Sequence, residues 1–279
     1  MTHIEHHDVE VEGIRLHYRA AGDGPPVLLL HGWPTSSFLW RDTLPPLAKS
    51  RRAIALDLPG FGASAKPLDA SYSFRFYDRI LTGFLDALGF PSVGLAVHDL
   101  GGPVGLYWAL HHQERVNALA LLNTLVYPRL SWAVVAFVAA SYTPGLRSYI
   151  TSPEGLAFAM RTGIHDKTKV TEELLRAVQE PFAEDAARRV LLKSAHSLHF
   201  GGMREIAKRL PSYRGPVRIL YGANDRILPD VARTMARVAR DLPQAEATCL
   251  ADCGHFLQEE RGEEIGALLE AFFAKHDAA

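Results

Sequence analysis

The residue with the clearest chemical potential is Asp99, which follows an apolar segment, residues 93–97, and precedes Gly101 and Gly102. An apolar strand that enters a sharp turn flanked by small residues, and then a helix, is typical of a nucleophile elbow. A carboxylate in this position is ionised at neutral pH and can attack an electrophilic carbon to form an ester. In the simpler alternative, Asp99 only caps the helix that follows it.

A second strand end carries the sequence HGWP (31–34) after the apolar segment 27–30. A glycine followed by an X-Pro turn can direct the backbone N–H of Trp33 towards the space above a sheet, and such a turn permits a cis bond. Together with the N–H of Leu100, it would provide two donors for an oxyanion. A plain strand-to-helix turn with a core tryptophan is the alternative, although it leaves the His-Gly pair unexplained.

Two further strand ends carry an acid and a base. Asp225 follows the apolar segment 217–221, and His255 lies just after the last predicted strand, residues 245–250. A histidine can deprotonate water, and a neighbouring carboxylate fixes its tautomer and stabilises its charged form. Ligands of open α/β sheets bind at the carboxyl ends of the strands, so we expect Asp99, Asp225 and His255 to share one site.

An alternation of strand and helix patterns positions these residues. Buried strands appear as continuous apolar runs at residues 27–30, 52–56, 93–97, 116–122, 217–221 and 245–250. A hairpin precedes them, and helical patterns separate them at residues 38–48, 74–88, 104–111 and 230–241, with another at 263–275. This rhythm predicts an α/β fold with a mostly parallel central sheet that is flanked by helices on both faces.

Residues 127–211, which we call the cap, interrupt this alternation with a helical pattern. A helix start is marked at Thr171, a capping residue that Glu172 and Glu173 follow. We predict that residues 1–126 and 212–279 form one core and that the cap is inserted above the edge of the sheet where ligands bind.

Composition excludes several classes of protein. The 279 residues suit one large domain or a core with an insert. A formal charge of −1 provides no basic surplus for nucleic acid or anionic membranes. The longest apolar run, residues 132–140, is too short to span a bilayer, and the polar N-terminus has no signal-peptide pattern. With two cysteines interpreted as reduced thiols, we predict a cytoplasmic monomer or small homo-oligomer without nucleic-acid or membrane partners.

The sequence resembles the α/β-hydrolase superfamily over nearly its whole length, and within it the aspartate-nucleophile branch of haloalkane dehalogenases and epoxide hydrolases. The motifs that carry the resemblance are HGWPTSSFLWR (31–41), DLPGFGAS (57–64), VHDLGGPVG (97–105), GANDRILP (222–229), CGHFLQEE (253–260) and a dehalogenase-like cap segment, TEELLRAVQEPF (171–182). The order Asp99, Asp225, His255 matches nucleophile, acid and base in that fold. Some dehalogenases place the acid after the strand at 116–122, but Asn123 stands there, which leaves Asp225 as the acid.

The resemblance implies a hydrolase that needs neither cofactor nor metal and acts on a small hydrophobic substrate with water. Asp99 would form an alkyl-enzyme ester, and His255, oriented by Asp225, would activate the water that hydrolyses it. The N–H groups of Trp33 and Leu100 would stabilise the oxyanion.

The leaving group is less well determined. Haloalkane dehalogenases usually hold the departing halide with a tryptophan directly after the nucleophile, where this sequence has Leu100. The HGWP form is similar to that of epoxide hydrolases, so we expect an epoxide hydrolase. A haloalkane dehalogenase is the alternative, and a non-catalytic ligand-binding member of the fold is a second alternative.

Epoxide hydrolases donate protons from cap tyrosines to the opening oxygen. The paired-tyrosine motif typical of the late cap is absent, and that stretch contains two histidines, one of which is His196. We predict that the substrate is bound by His31, Tyr127, Tyr142, Tyr149 and His196. For the tyrosines and for His196, a packing role is the alternative.

Overall fold

The structure is a computed structural model that describes residues 2–276. Within that range, eight strands form one sheet in the order β1-β2-β4-β3-β5-β6-β7-β8. Their bounds are β1 Glu5–Val11, β2 Ile14–Ala21, β3 Pro26–Leu30, β4 Arg52–Leu56, β5 Val93–Asp99, β6 Val116–Thr124, β7 Val217–Gly222 and β8 Ala245–Leu250. β2 pairs antiparallel with β1 and β4, and every other neighbouring pair is parallel. The predicted α/β fold with a mostly parallel sheet is confirmed.

Helices flank the sheet and cover its carboxyl-terminal edge. Their bounds are α1 Leu44–Leu47, α2 Phe74–Ala87, α3 Gly101–His111, α4 Trp132–Tyr142, α5 Leu146–Ile150, α6 Pro153–Gly163, α7 Glu172–Gln179, α8 Asp185–Ser197, α9 Phe200–Arg209, α10 Val231–Asp241 and α11 Leu257–Lys275. Amphipathic spacing decides which face packs inward: in α10 the buried side chains are Val231, Met235 and Val238. The central strand β5 is buried along its whole length, as expected for a strand covered on both faces.

The single helix predicted at residues 38–48 is wrong. The chain instead forms a 3₁₀ turn, Ser37–Trp40, and then the short helix α1. Pro45 and Pro46 explain the difference, because proline has no N–H to donate within a helix and is accommodated in its first turn. The break lets the chain turn sharply behind the HGWP segment.

The cap contributes six helices, α4–α9, between β6 and β7. Side chains cap several of them at the N-terminus, and Thr171 Oγ1 accepts from Leu174 N at 3.1 Å, which confirms the predicted start of α7. The cap contacts the core at the carboxyl ends of the strands: Trp33 Nε1 donates to Leu191 O at 3.3 Å, and His255 N donates to Gly163 O at 2.6 Å. The cap therefore lies above the strand ends that carry the candidate catalytic residues.

No helix within residues 2–276 combines the length and the hydrophobicity that a membrane crossing requires.

Candidate active site

The turn after β5 has the strained geometry of a nucleophile elbow. Asp99 has a φ of +48°, which is uncommon for a residue with a side chain and marks a conformation held by its surroundings. Thr124 Oγ1 holds the turn by donating to the carbonyl oxygen of Asp99 at 2.6 Å. A Cβ at Gly101 would overlap the backbone of β3, and one at Gly102 would overlap Thr124. Small residues are therefore required here because neighbouring chain segments approach closely.

The carboxylate of Asp99 faces two backbone donors rather than capping a helix. Its Oδ2 accepts from Trp33 N at 2.8 Å, and the N–H of Leu100 also hydrogen-bonds the carboxylate. No side chain caps α3. Burial raises the pKa of Asp99, while His255 and the two N–H groups act in the opposite direction. The Trp33–Pro34 bond is cis.

His255 and Asp225 complete a constellation with Asp99. His255 Nδ1 donates to Asp225 Oδ2 at 2.8 Å, and His255 Nε2 lies 3.6 Å from Asp99 Oδ1. Nε2 forms no hydrogen bond to any of the described residues. Burial alone would lower the pKa of His255, but Asp225 and Asp99 together raise it. The structure thus brings the three predicted residues together, with a ring nitrogen of His255 directed at the carboxylate of Asp99.

Four donors surround the carboxylate of Asp225. Its Oδ2 accepts from His255 Nδ1 and from Asn123 Nδ2 at 2.7 Å, and its Oδ1 accepts from the N–H groups of Ile227 at 2.8 Å and Leu228 at 2.7 Å. Burial would raise the pKa of Asp225, but His255 and the two backbone donors lower it. The carboxylate of Asp225 is therefore held ionised and in one orientation.

Asn123 is a positioning residue that sequence reasoning did not assign. Its Nδ2 donates to Asp225 and also to Gly254 O at 3.1 Å, while its Oδ1 accepts from Gly222 N at 2.9 Å. One amide therefore connects β6, the end of β7 and the loop that carries His255. A buried polar residue at the end of an apolar strand was the available signal.

Glu260 connects the loop of His255 to the cap. Its Oε1 accepts from Gly254 N at 2.7 Å, and its Oε2 accepts from His165 N at 3.0 Å and Asp166 N at 2.8 Å. All three donors are backbone groups on the two sides of the cap–core boundary. Glu260 lies within the quoted CGHFLQEE motif, but its spacing from His255 did not indicate this role.

His98 lies against the base. Its ring centroid is 4.8 Å from that of His255, and its Nε2 donates to the carbonyl oxygen of His255 at 2.9 Å. Burial, followed by the proximity of His255, lowers the pKa of His98 to about 3. His98 therefore remains neutral and supports the backbone of the catalytic loop.

A cavity of about 670 Å³ opens above Asp99 between the core and the cap. Its lining is mostly apolar and includes Trp33 and Leu100 from the core. Tyr142, Tyr149 and His196, which were predicted to bind substrate, also line it. A concave, mostly apolar volume with a few polar groups is the usual form of a small-molecule site.

Two of the residues predicted to bind substrate, His31 and Tyr127, lie away from the cavity walls, which corrects that prediction. His31 is fully buried: its Nε2 accepts from Leu58 N at 3.1 Å and its Nδ1 donates to the carbonyl oxygen of Gly32 at 2.9 Å. It therefore holds the loop that presents the N–H of Trp33. The hydroxyl of Tyr127 donates to Asp241 Oδ2 at 2.7 Å, so this side chain fixes the start of the cap to α10.

Gly32→Ala is expected to reduce activity by about 10²-fold or more, since small displacements of reacting groups have effects of this size. A Cβ at this position would overlap the side chain of Asp99 and displace the nucleophile from the N–H of Trp33. Initial rates, together with thermal denaturation, measure the effect. Gly13→Ala is the control for strain alone, because φ is +75° there and its Cβ would lie in open space on the hairpin: it should lower the melting temperature without lowering the rate. Unchanged rates in Gly32→Ala would contradict the close approach.

Comparisons with known proteins agree with this architecture. A family model described as "alpha/beta hydrolase fold" matches residues 25–262. Among curated proteins, a haloalkane dehalogenase of Agrobacterium fabrum is 30% identical, covering 96% of this chain and 91% of that protein. A soluble epoxide hydrolase of Corynebacterium sp. is 28% identical, covering 98% of both. The solved structure of haloalkane dehalogenase DbeA from Bradyrhizobium elkani is 28% identical, with a TM-score of 0.86 and coverage of 98% of each chain.

The family match spans most of the chain, the two curated relatives are hydrolases aligned over almost their full length, and the sheet carries Asp99, Asp225 and His255 at the carboxyl ends of β5, β7 and β8. The chain belongs to the α/β-hydrolase fold family and is an enzyme of the hydrolase type.

Proposed function

We propose that the protein hydrolyses epoxides through an ester formed on Asp99. The observation that carries the proposal is that the two carboxylate oxygens of Asp99 have different neighbours. Oδ2 accepts from the N–H of Trp33, whereas Oδ1 lies 3.6 Å from His255 Nε2. This arrangement supports attack by Oδ1 while Oδ2 stays in the position where an oxyanion would later need donors.

In the first step, Asp99 Oδ1 attacks an epoxide carbon, the carbon–oxygen bond of the ring breaks, and the released oxygen takes a proton from the cap. In the second step, His255 Nε2 removes a proton from water, and the hydroxide attacks the ester carbonyl. The N–H groups of Trp33 and Leu100 stabilise the resulting oxyanion. The carbonyl–oxygen bond then breaks, and the departing alkoxide takes the proton held by His255 to give a diol. The second proton of the water, left on the carboxyl of Asp99, afterwards restores the cap donor through solvent. Asp225 stabilises the imidazolium that forms on His255. These steps use side chains and water alone.

The surroundings of Trp33 favour an epoxide over a haloalkane. A departing halide in an apolar cavity needs N–H donors, because an unsolvated anion is costly there. The indole N–H of Trp33 donates to Leu191 O at 3.3 Å, and Leu100 has no side-chain donor. The named relatives include both a haloalkane dehalogenase and an epoxide hydrolase, so their names do not separate the two activities.

Tyr142 is the proposed proton donor to the opening oxygen. Its ring stacks on His196 with centroids 4.2 Å apart. Ser141 Oγ donates to Val138 O, so it accepts from His196 Nε2 at 2.7 Å, which leaves Nδ1 unprotonated in the neutral ring. Burial lowers the pKa of His196, so the ring is neutral at pH 7 and has no proton to give towards the cavity. The phenol of Tyr142, in contrast, carries a proton that it can donate to the opening oxygen.

Tyr142→Phe is expected to slow formation of the ester by about 10²-fold, the usual contribution of a positioned general acid. Hydrolysis of the ester should not change, because Tyr142 takes no part in the second step. Rapid-quench single turnovers separate the two rates. Tyr149→Phe, a second tyrosine on the same cavity, is the matched control. Equal effects of the two variants on ester formation would argue against Tyr142 as the donor.

The pH dependence of ester hydrolysis should differ from the titration of His255 in the free enzyme. The base must be neutral, so hydrolysis is lost as pH falls through the pKa of His255. In the free enzyme Asp225 and Asp99 both raise that pKa. Ester formation removes the charge of Asp99, so the pKa of His255 in the intermediate is lower and the acid limb of hydrolysis moves to lower pH. Proton NMR of the free enzyme and pH-dependent decay of the ester provide the two values. Coincident values, or the reverse order, would contradict this coupling.

A single turnover in ¹⁸O-water tests the proposal directly. Water attacks the carbonyl carbon of the ester, so the label should appear in the carboxylate of Asp99, and the product should carry an oxygen that came from Asp99. Peptide mass spectrometry locates the label. Confirmed turnover with no label in Asp99 would overturn the ester mechanism. A panel of epoxides and of chloro- and bromoalkanes then separates diol formation from halide release, and halide release alone would replace the epoxide assignment.

A further inference from the structure

The cavity above Asp99 carries an unusual set of ionisable side chains. Apart from Asp99 and the two tyrosines, the groups on its walls that can ionise are Arg226, His196 and His199. No second acidic side chain lines it within the described residues. A neutral apolar substrate would not require an arginine at the wall.

Arg226 has no partner in the part of the chain that the structure describes, where no acidic group or aromatic face is paired with it. Its backbone is nevertheless held in place, because Asp225 Oδ1 accepts from the N–H groups of Ile227 and Leu228 on the next two residues. Arg226 therefore lines the cavity from a fixed turn beside Asp225, and the residue is exposed. A guanidinium with no internal counter-charge is suited to a planar anion such as a carboxylate.

The rest of the wall is suited to an apolar chain. Six large apolar or aromatic side chains of the cap line the cavity although they are substantially exposed: Trp132, Val138, Tyr142, Tyr149, Phe158 and Phe200. They extend the apolar surface from the cavity to the outside of the cap. Each methylene buried on such a surface strengthens binding about fourfold. A volume of about 670 Å³ is also far more than a compact epoxide needs.

We infer that the substrate is an amphiphilic anion, an apolar chain that carries the epoxide and ends in a carboxylate paired with Arg226. This inference rests on the proposed function for the reacting group, but the recognition of the chain and the carboxylate is independent of the chemistry. Asp99 attacks the epoxide within the apolar part of the cavity, and Arg226 selects the charged end. Because Arg226 is exposed to solvent, the pairing should be sensitive to salt.

The kinetic test uses two probes of equal length, the ω-epoxide of undecanoate and the carboxamide of the same compound. The wild-type kcat/KM should be about fivefold to tenfold higher for the carboxylate, the range for a charge pair that is only partly desolvated. The preference should shrink as salt is added. Arg226→Gln should remove it, so that kcat/KM for the carboxylate falls to the value for the carboxamide in the same variant. Arg233→Gln, which removes the same charge from an exposed site outside the cavity, should retain it.

A binding test keeps the inference separate from the epoxide chemistry. Calorimetry with dodecanoate and with dodecanol, below their aggregation limits, should show a preference for dodecanoate that Arg226→Gln abolishes and Arg233→Gln retains. If that pattern appears but no epoxide is hydrolysed, the proposed function fails and the inference stands. If both epoxide probes are hydrolysed equally and Arg226→Gln alters neither, the inference is overturned and the proposed function stands.

Discussion

Replacement of His255 by glutamine is expected to reduce the turnover rate by about 10³-fold or more. Ester formation should remain intact, so the enzyme should accumulate as an alkyl ester. In the proposed mechanism Asp99 attacks as a carboxylate and needs no base, whereas attack of water on the ester needs His255 Nε2. Glutamine cannot remove a proton from water at neutral pH. Burial raises the pKa of Asp99, so the ester should form most completely above the pH at which that carboxyl is protonated.

Intact-mass spectrometry of His255→Gln with one equivalent of an epoxide should show an increase equal to the mass of the whole substrate, because the epoxide oxygen is retained. A haloalkane would add the alkyl group only, and free halide would appear. The double variant Asp99→Ala with His255→Gln is the control, and it should gain no mass. Steady turnover by His255→Gln would remove His255 as the base.

Asp225→Asn is expected to slow ester hydrolysis by about 10⁴-fold, the loss found when the acid of a catalytic triad is replaced by its amide. The loss is expected because four hydrogen-bond donors surround the carboxylate of Asp225. Oδ1 accepts from two backbone N–H groups, and Oδ2 accepts from Asn123 and His255. An asparagine would have to direct its NH₂ group at donors in either orientation, so it would lose hydrogen bonds and allow the wrong tautomer of His255.

Decay of the isolated ester in Asp225→Asn measures this effect, and the rate of ester formation should change far less. Loss of Asp225 also removes a charge that raises the pKa of His255, so the residual activity should have its acid limb at lower pH. Asp230→Asn, five residues further along the chain and outside the site, provides the control. Hydrolysis at the wild-type rate in Asp225→Asn would show that the acid does not act through His255.

The positions of Asp99, Asp225 and His255 could be predicted because each residue lies at the end of a strand, or just after one, that the sequence marks clearly. Buried strands of a parallel sheet are continuous apolar runs, and a polar residue that ends such a run stands out. Parallel pairing then brings the ends of β5, β7 and β8 to the same edge, so Asp99, Asp225 and His255 meet although they are far apart in sequence. The local hydrophobic pattern and the general topology of parallel sheets are sufficient to predict that these three residues lie together.

The direction of a side chain at a strand end could not be predicted in the same way. His31 follows β3 just as other site residues follow their strands, yet both of its ring nitrogens bond the backbone. Tyr127 begins the cap but pairs with Asp241 on α10. Asn123 has no local feature that identifies its bonds to Asp225 and Gly254. These choices depend on partners that are distant in sequence and are set by packing.

Trp33 illustrates the difference between what the sequence determines and what only the tertiary structure determines. The sequence by itself determined the α/β fold, the helical insert, the carboxylate at the elbow and the turn that exposes the backbone N–H of Trp33, because strand burial and turn chemistry are local properties. Only the tertiary structure decided that this N–H reaches Asp99 while the indole N–H donates to Leu191 in the cap. Hydrogen-bond partners across the cap–core boundary are selected when the cap and the core pack together. That packing also places Arg226, for which residues 2–276 provide no partner, on the cavity wall.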